Sequence, residues 1–207
     1  MDEIVRQAMA KWPNVPHCFG WLRLDARGAW RMRDERAQLL NLAGERIVHP
    51  ALLGFICRNY VQDEQGRWYF QNGPQRVYVD LELTPYIVRN NPGEMLSLQT
   101  GEALDRVDAA WMDEEGRLYL SGGEKFAALD DRDLTDMLPL LSIDGMPAGD
   151  EALLAWLEAA DENPSASGGR LQIRWREQLV DVTRVKRDQL AIRFGFDPLP
   201  RESTPAE

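Results

Sequence analysis

The segment "RWYFQNGPQRVYVDLE", residues 67–82, sets Arg67, Tyr69, Gln71, Arg76, Tyr78, Asp80 and Glu82 at alternate positions around a turn. Alternate residues of a strand share a face. With Gln71 opposite Arg76, Phe70 meets Val77, Tyr69 meets Tyr78, Trp68 meets Val79 and Arg67 meets Asp80. A two-residue Gly-Pro loop and a four-residue Asn-Gly-Pro-Gln loop give this same register. One face is then apolar (Trp68, Phe70, Val77, Val79, Leu81) and is expected to be core. The other is polar and aromatic. Two chemistries suit it. Tyr and Arg are enriched where proteins recognise ligands and partners, which makes Tyr69, Gln71, Arg76, Tyr78, Asp80 and Glu82, with Asn72 at the turn, a candidate binding surface. Asp80 and Glu82 also stand two residues apart, close enough to share a cation or an acid/base task. The structural alternative needs no ligand: a half-buried antiparallel sheet has this composition too.

Other chemistry is sparse. The two histidines, His17 and His49, form no HExxH, and the two cysteines, Cys18 and Cys57, form no CxxC. No metal site or cofactor is therefore expected. His17 and Cys18 are adjacent, and in a strand they point to opposite faces, which does not suit a nucleophile and its base. Neither a phosphate-binding glycine loop nor a GxSxG elbow occurs. No catalytic residue is assigned.

The elements that must position these residues show a repeat. "LDARGAWRM" (24–32), "QDEQGRWYF" (62–70) and "MDEEGRLYL" (112–120) each read Asp-x-x-Gly followed by a strand pattern. Asp favours the first position of a turn and Gly supplies positive φ at the fourth, the chemistry of a short hairpin loop closed by a glycine bulge. Leu24 then faces Trp30 and Leu22 faces Met32; Met112 faces Leu118 and Ala110 faces Leu120. Gln62 would face Trp68, a polar-apolar pair, so the middle copy is expected to be a helix-to-strand connection instead of a full hairpin. Helices are expected at the N-terminus, at 50–60 with Pro50 in its first turn, near 131–141, and near 150–160 with Asp150 as N-cap. Further strands are expected at 76–83, 85–89, 94–100, 105–112 and 124–130, with three strand-like runs in 170–196. Residues 162–170 read as a polar loop.

The fold class that follows is α+β, mainly antiparallel β in two related strand-rich units, each with one or two short helices. Residues 1–100 would hold the N-terminal helix and the first unit, 101–200 the second, and 201–207 a loose tail.

Composition narrows the function. There are 34 acids against 24 basic residues, a net charge of −10, and no basic stripe. Nucleic acid and anionic membrane are disfavoured as partners, since both need clustered cations. The N-terminus has acids at positions 2 and 3 and no apolar core of a signal peptide, so a cytoplasmic location is expected.

"HCFGWLRLDARGAWRMRD", "RNYVQDEQGRWYFQNGPQRVYVDLELTPYIVR" and "AAWMDEEGRLYL" together resemble an uncharacterised proteobacterial family that pairs a Gly-Trp strand, a short helix and a "GPQRVYVDLE-TP" segment. More distantly they are similar to a larger bacterial domain-of-unknown-function family with repeated strand-and-helix motifs, for which a signalling role has been suggested without proof. The likeness covers about residues 13–140 and implies a two-unit fold; no catalytic residues come with it. Residues 150–200 depart from the larger family's plan. The expected function is a non-catalytic binding or regulatory module for a small ligand or a protein. The competing classes are a small hydrolase using carboxylates or a metal, and an assembly protein using a sheet edge.

Overall fold

In the computed structural model, which describes residues 1–91, 96–162 and 169–202, the three Asp-x-x-Gly stretches form the same loop. The Asp25, Asp63 and Asp113 amides donate to the carbonyls of Ala29, Arg67 and Arg117, and the Gly28, Gly66 and Gly116 amides donate back to the aspartate carbonyls. Each aspartate Oδ1 accepts two further amides, from Arg27 and Ala29, from Gln65 and Arg67, and from Glu115 and Arg117. The three glycines have φ of 78°, 79° and 77°, a left-handed conformation open to Gly and strained for other residues. All three copies are hairpins. The middle one corrects the expected helix-to-strand connection: Tyr60–Gln62 pairs antiparallel with Trp68–Asn72, and Gln62 does face Trp68. The loop is made by Asp63 and its local amides, so it forms whatever side chain stands opposite Trp68.

The chain divides into two compact units. The first holds Met1–Pro85, Gln99–Gly101 and Ala191–Glu207; the second holds Tyr86–Leu98 and Glu102–Leu190.

The first unit carries the strands β1 (Cys18–Leu24), β2 (Trp30–Met32), β3 (Glu45–Arg46), β4 (Tyr60–Gln62), β5 (Trp68–Asn72) and β6 (Gln75–Leu81), and the helices α1 (Glu3–Lys11), α2 (Glu35–Leu39) and α3 (Pro50–Arg58). Its six-stranded sheet runs β3-β2-β1-β6-β5-β4. Neighbours are antiparallel except β1 and β6, which run parallel with Leu22 beside Val79 and Arg23 beside Asp80. Helix α2 was not expected from the sequence; its N-cap Asp34 accepts the Ala37 amide at 2.7 Å, a signal present in "DERA". Leu22, Leu24, Trp30, Ile56, Val79 and Leu81 are buried, each removal from water stabilising by about 1.5–3 kcal/mol for a side chain of this size.

The second unit carries β7 (Tyr86–Arg89), β8 (Ser97–Leu98), β9 (Ala109–Met112), β10 (Leu118–Gly122), β11 (Lys125–Leu129), β12 (Leu141–Ile143), β13 (Met146–Pro147), β14 (Leu171–Trp175) and β15 (Gln178–Arg184), with helices α4 (Leu134–Met137), flanked by 3-10 turns, and α5 (Asp150–Glu162). The sheet order is β13-β12-β14-β15-β9-β10-β11-β7-β8. Here too the meander β9-β10-β11 is joined in parallel at its last strand, to β7, while β15 lies parallel to β9. Helix α5 starts one residue earlier than expected, with Gly149 accepting the Leu153 amide. The strands 86–89 and 97–98, placed with residues 1–100 on sequence, hydrogen bond within this second sheet. The last of the three strand-like runs expected in 170–196 is instead helix α6 (Leu190–Phe194), preceded by a 3-10 turn at Arg187–Gln189. Residues 94–95 of the expected strand, 163–168 of the expected loop and 203–207 of the expected tail lie outside the described residues. No helix is long and apolar enough to cross a membrane among the described residues.

Candidate functional site

The register of β5 and β6 is the one expected, with Tyr69 opposite Tyr78, Phe70 opposite Val77 and Gln71 opposite Arg76. The turn is the two-residue Gly73-Pro74 loop, with Gly73 at φ 57°. The burial is not the one expected. The polar face is largely enclosed: Gln71 and Tyr78 are 0% exposed, Asp80 2% and Tyr69 6%. Arg76 is half-buried, and only Asn72 and Glu82 among the candidate residues are exposed. Neighbours in space account for the difference. Phe19, on the parallel strand β1, stacks on Tyr78 at 4.5 Å between ring centres, and His17 meets the same ring edge-on at 5.7 Å. Arg67 lies over Tyr78 with its guanidinium carbon 4.7 Å from the ring centre. The residues that follow Phe196 approach the far end, where the Leu81 amide donates to the Pro198 carbonyl.

The candidate residues therefore fall into two groups. Asp80 accepts from Arg33 Nη1 at 2.6 Å and from Arg201 Nη1 at 2.8 Å. Arg33 is itself buried and also donates to the carbonyls of Ala37 and Leu42. Glu82 pairs with Arg23 at 3.2 Å. Asp80 and Glu82 are thus each engaged by their own arginines, an arrangement for holding strands together and not for passing a proton. Among the described residues, no three His, Cys, Asp or Glu side chains gather as a metal site.

The second group surrounds a cleft. Asp63 Oδ2 accepts from Arg67 Nε at 2.9 Å and from the Tyr78 hydroxyl at 3.0 Å, and Arg67 Nη2 donates to that hydroxyl at 3.0 Å. Arg76 sits over Tyr69, its guanidinium carbon 4.8 Å from the ring centre. These residues wall a cleft of about 470 Å3 lined by Gln62, Asp63, Glu64, Gln65, Arg67, Tyr69 and Arg76. Burial alone would raise the Asp63 carboxyl; the hydrogen bonds from Arg67, Gln65 and Tyr78 outweigh it and hold it below the usual carboxylate range. Burial pushes the Tyr69 phenol up. Partial burial, then Arg76 and Arg67, hold the His17 imidazole below its ordinary value. Gln71 points elsewhere: its amide donates to the Gly73 carbonyl at 2.9 Å, and its Oε1 is buried without a partner among the described residues. Tyr69 and Arg76 are the candidate residues that line the cleft; Asp63 and Arg67 join them unforeseen, and Tyr78 positions Arg67 from behind. The Asp-x-x-Gly motif had already marked Asp63, but as a turn residue only.

The repeat reaches further than its turns. Fifty positions on, Asp63, Arg67, Tyr69, Gly73 and Asp80 become Asp113, Arg117, Tyr119, Gly123 and Asp130. Asp130 is, like Asp80, a fully enclosed carboxylate, paired with Arg89 and Arg132. Arg76 and Tyr78 become Phe126 and Ala128. Phe126 stacks on Tyr119 at 5.8 Å and 14°, and Tyr119 donates to Asp113 Oδ2 at 2.6 Å.

The chain belongs to the DUF2944 family, described as a protein of unknown function (DUF2946), whose model matches residues 1–201. Among curated proteins none matches. Similar solved structures include a DUF1285 family protein from Silicibacter pomeroyi, 14% identical, covering 87% of this chain and 94% of that one with a TM-score of 0.48. Another is a DUF1285 family protein from Shewanella baltica, 13% identical, covering 56% of this chain and 88% of that one with a TM-score of 0.35.

Proposed function

We propose that the chain is a non-catalytic binding or regulatory module, and that it recognises a small molecule in the cleft beside the β4-β5 loop. The observation that supports this reading is the cleft itself: about 470 Å3, walled by Arg67, Tyr69 and Arg76, within the range of about 300–1,000 Å3 typical of small-molecule sites. Its wall is held from behind. Arg67 is fixed by Asp63 and Tyr78, and Tyr78 is clamped by Phe19. Donors fixed before binding lose little freedom when a ligand arrives. The buried ion pair of Asp80 serves the sheet, so the binding role rests on Tyr69 and Arg76 of the candidate residues, with Tyr78 positioning.

A thermal-shift screen against metals, nucleotides and metabolites tests the reading. A ligand at a hundred times its Kd adds about 2.7 kcal/mol, a shift on the order of 5–10 °C for a chain of this size. The hit is expected to weaken in Arg76→Gln and in Arg67→Gln. A hit that survives both substitutions, or a flat screen of a cooperatively melting protein, would overturn the small-molecule assignment.

A further inference from the structure

We infer that the ligand of this cleft is a small organic anion, held through a carboxylate or phosphate group by Arg76 and Arg67. The inference rests on the binding reading above and adds the ligand's class. Its basis is the pairing of the arginines. In the first unit Arg23, Arg31, Arg33, Arg58 and Arg67 each have a carboxylate at 2.6–3.3 Å. Arg76 is half-buried, yet among the described residues no carboxylate stands within ion-pair distance of it; it rests on the Tyr69 ring. Burial opposes the Arg76 charge, and the tyrosines beside it with Asp63 outweigh that burial, so the guanidinium is kept charged at the cleft without an ion pair of its own. Arg67 commits Nε and Nη2 to Asp63 and Tyr78, which leaves Nη1 as a donor. Asp63 is paired with Arg67 and the exposed Glu64 also lines the cleft, so Arg76 is the lining cation without an ion pair among the described residues. A planar guanidinium fork matches carboxylate and phosphate oxygens, often two at a time.

Two observations agree. Burial first, then Arg76 and Arg67, hold the His17 imidazole down, against smaller opposing contributions from Asp63 and Glu202. In the repeat Arg76 is replaced by Phe126, which lies flat against the Tyr119 ring. The charge is thus no requirement of the hairpin; the same scaffold forms with an apolar residue there.

The test uses the full chain and three anions, inorganic phosphate, succinate and glycerol phosphate, with succinamide as the neutral counterpart of succinate. Binding is read by proton NMR of His17, with His49 as an internal reference. The expected result is that at least one organic anion binds and raises the His17 pKa by offsetting the arginine field. Arg76→Gln should weaken that binding about tenfold or more, Arg76→Lys should weaken it less, and Arg117→Gln in the second unit should leave it unchanged. Circular dichroism confirms that each variant is folded. Succinamide binding as tightly as succinate, unchanged binding in Arg76→Gln, or no response to any of the three anions would overturn the inference. A neutral metabolite that binds here and is lost in Arg76→Gln would overturn the anion class and leave the binding reading standing. Phosphate and succinate responses distinguish the two head groups.

Discussion

The hairpin at Asp63 and the hairpin at Asp113 have the same loop, the same tyrosine two residues after the arginine and an enclosed aspartate seventeen residues on. They differ in what lies over that tyrosine. In the first unit a guanidinium covers Tyr69 and a second tyrosine hydroxyl, from Tyr78, ties Asp63 to Arg67. In the second unit Phe126 covers Tyr119, and the Tyr119 hydroxyl itself turns to Asp113, leaving Arg117 Nε and Nη1 without hydrogen-bond partners among the described residues. One frame therefore yields a charged wall in one place and an apolar one in the other. What persists in both is structural: the aspartate loop and the buried carboxylate. What varies is the residue that a ligand would meet.

The two buried carboxylates give the largest expected contrast. Asp80 faces Arg33, whose side chain is 4% exposed, whereas the arginines of Asp130 are 41% and 49% exposed. Asp80→Ala strands an enclosed guanidinium and should lower stability by about 3–5 kcal/mol, the scale of a broken buried pair. Asp130→Ala should lower it less, because water can reach Arg89 and Arg132. Urea unfolding of both variants checks the order; equal losses would remove the distinction.

Next come the two phenols. Tyr119→Phe leaves Asp113 Oδ2 without its partner in a buried site, and should cost about 1.5–3 kcal/mol, as for hydrogen bonds to charged groups. Tyr78→Phe leaves Asp63 Oδ2 with Arg67, and should cost less, on the order of 1 kcal/mol. Thermal melts of the pair decide it.

The loop glycines separate by a smaller margin. Gly66 and Gly116 share the left-handed conformation, so alanine at either should cost about 1–2 kcal/mol. A Cβ at Gly66 would also fall 2.6 Å from the Gly195 carbonyl oxygen, while one at Gly116 meets only Leu157 at 3.5 Å. Gly66→Ala should be the worse of the two by equilibrium unfolding.

The smallest effect is in the acid limb of the stability curve. The Asp63 carboxyl is held below its ordinary value in the folded chain. Its contribution is therefore complete above the unfolded carboxylate pKa of about 3.9 and is lost as pH falls through the lower, folded value. Asp63→Asn should flatten the wild-type loss in that acidic window; an unchanged acid limb would count against the Arg67 and Tyr78 contacts.

Much of this architecture is readable in the sequence because it is locally determined. The registers Leu24–Trp30, Met112–Leu118 and Tyr69–Tyr78 follow from turn chemistry and the two-residue period of a strand. The period misleads at "LAIRF", where Leu190 and Ile192 alternate like a strand; in helix α6 Leu190 is buried and Ile192 is 89% exposed. Helix α2 is only five residues long, too short for periodicity, and only its Asp34 cap announces it. The enclosure of Tyr78 and Asp80 depends on Phe19, Arg33 and Arg201, residues far away in the chain, and no local pattern encodes it. The cleft was half visible: Tyr69 and Arg76 stand out on the alternate face, whereas Asp63 and Arg67 read as a turn.

The contact between Arg201 and Asp80 has a consequence for how the molecule is made on the ribosome. Residues 1–85 are synthesised before the second unit, yet Gly195, Asp197, Pro198 and Arg201 lie against Gln62, Gly66, Leu81 and Asp80. The first unit to emerge is thus the last to be finished: it must wait through the whole synthesis of the second with one edge unsealed. A stop codon after residue 190 would release a chain carrying every strand of both sheets, and its first unit would still lack the segment that closes it.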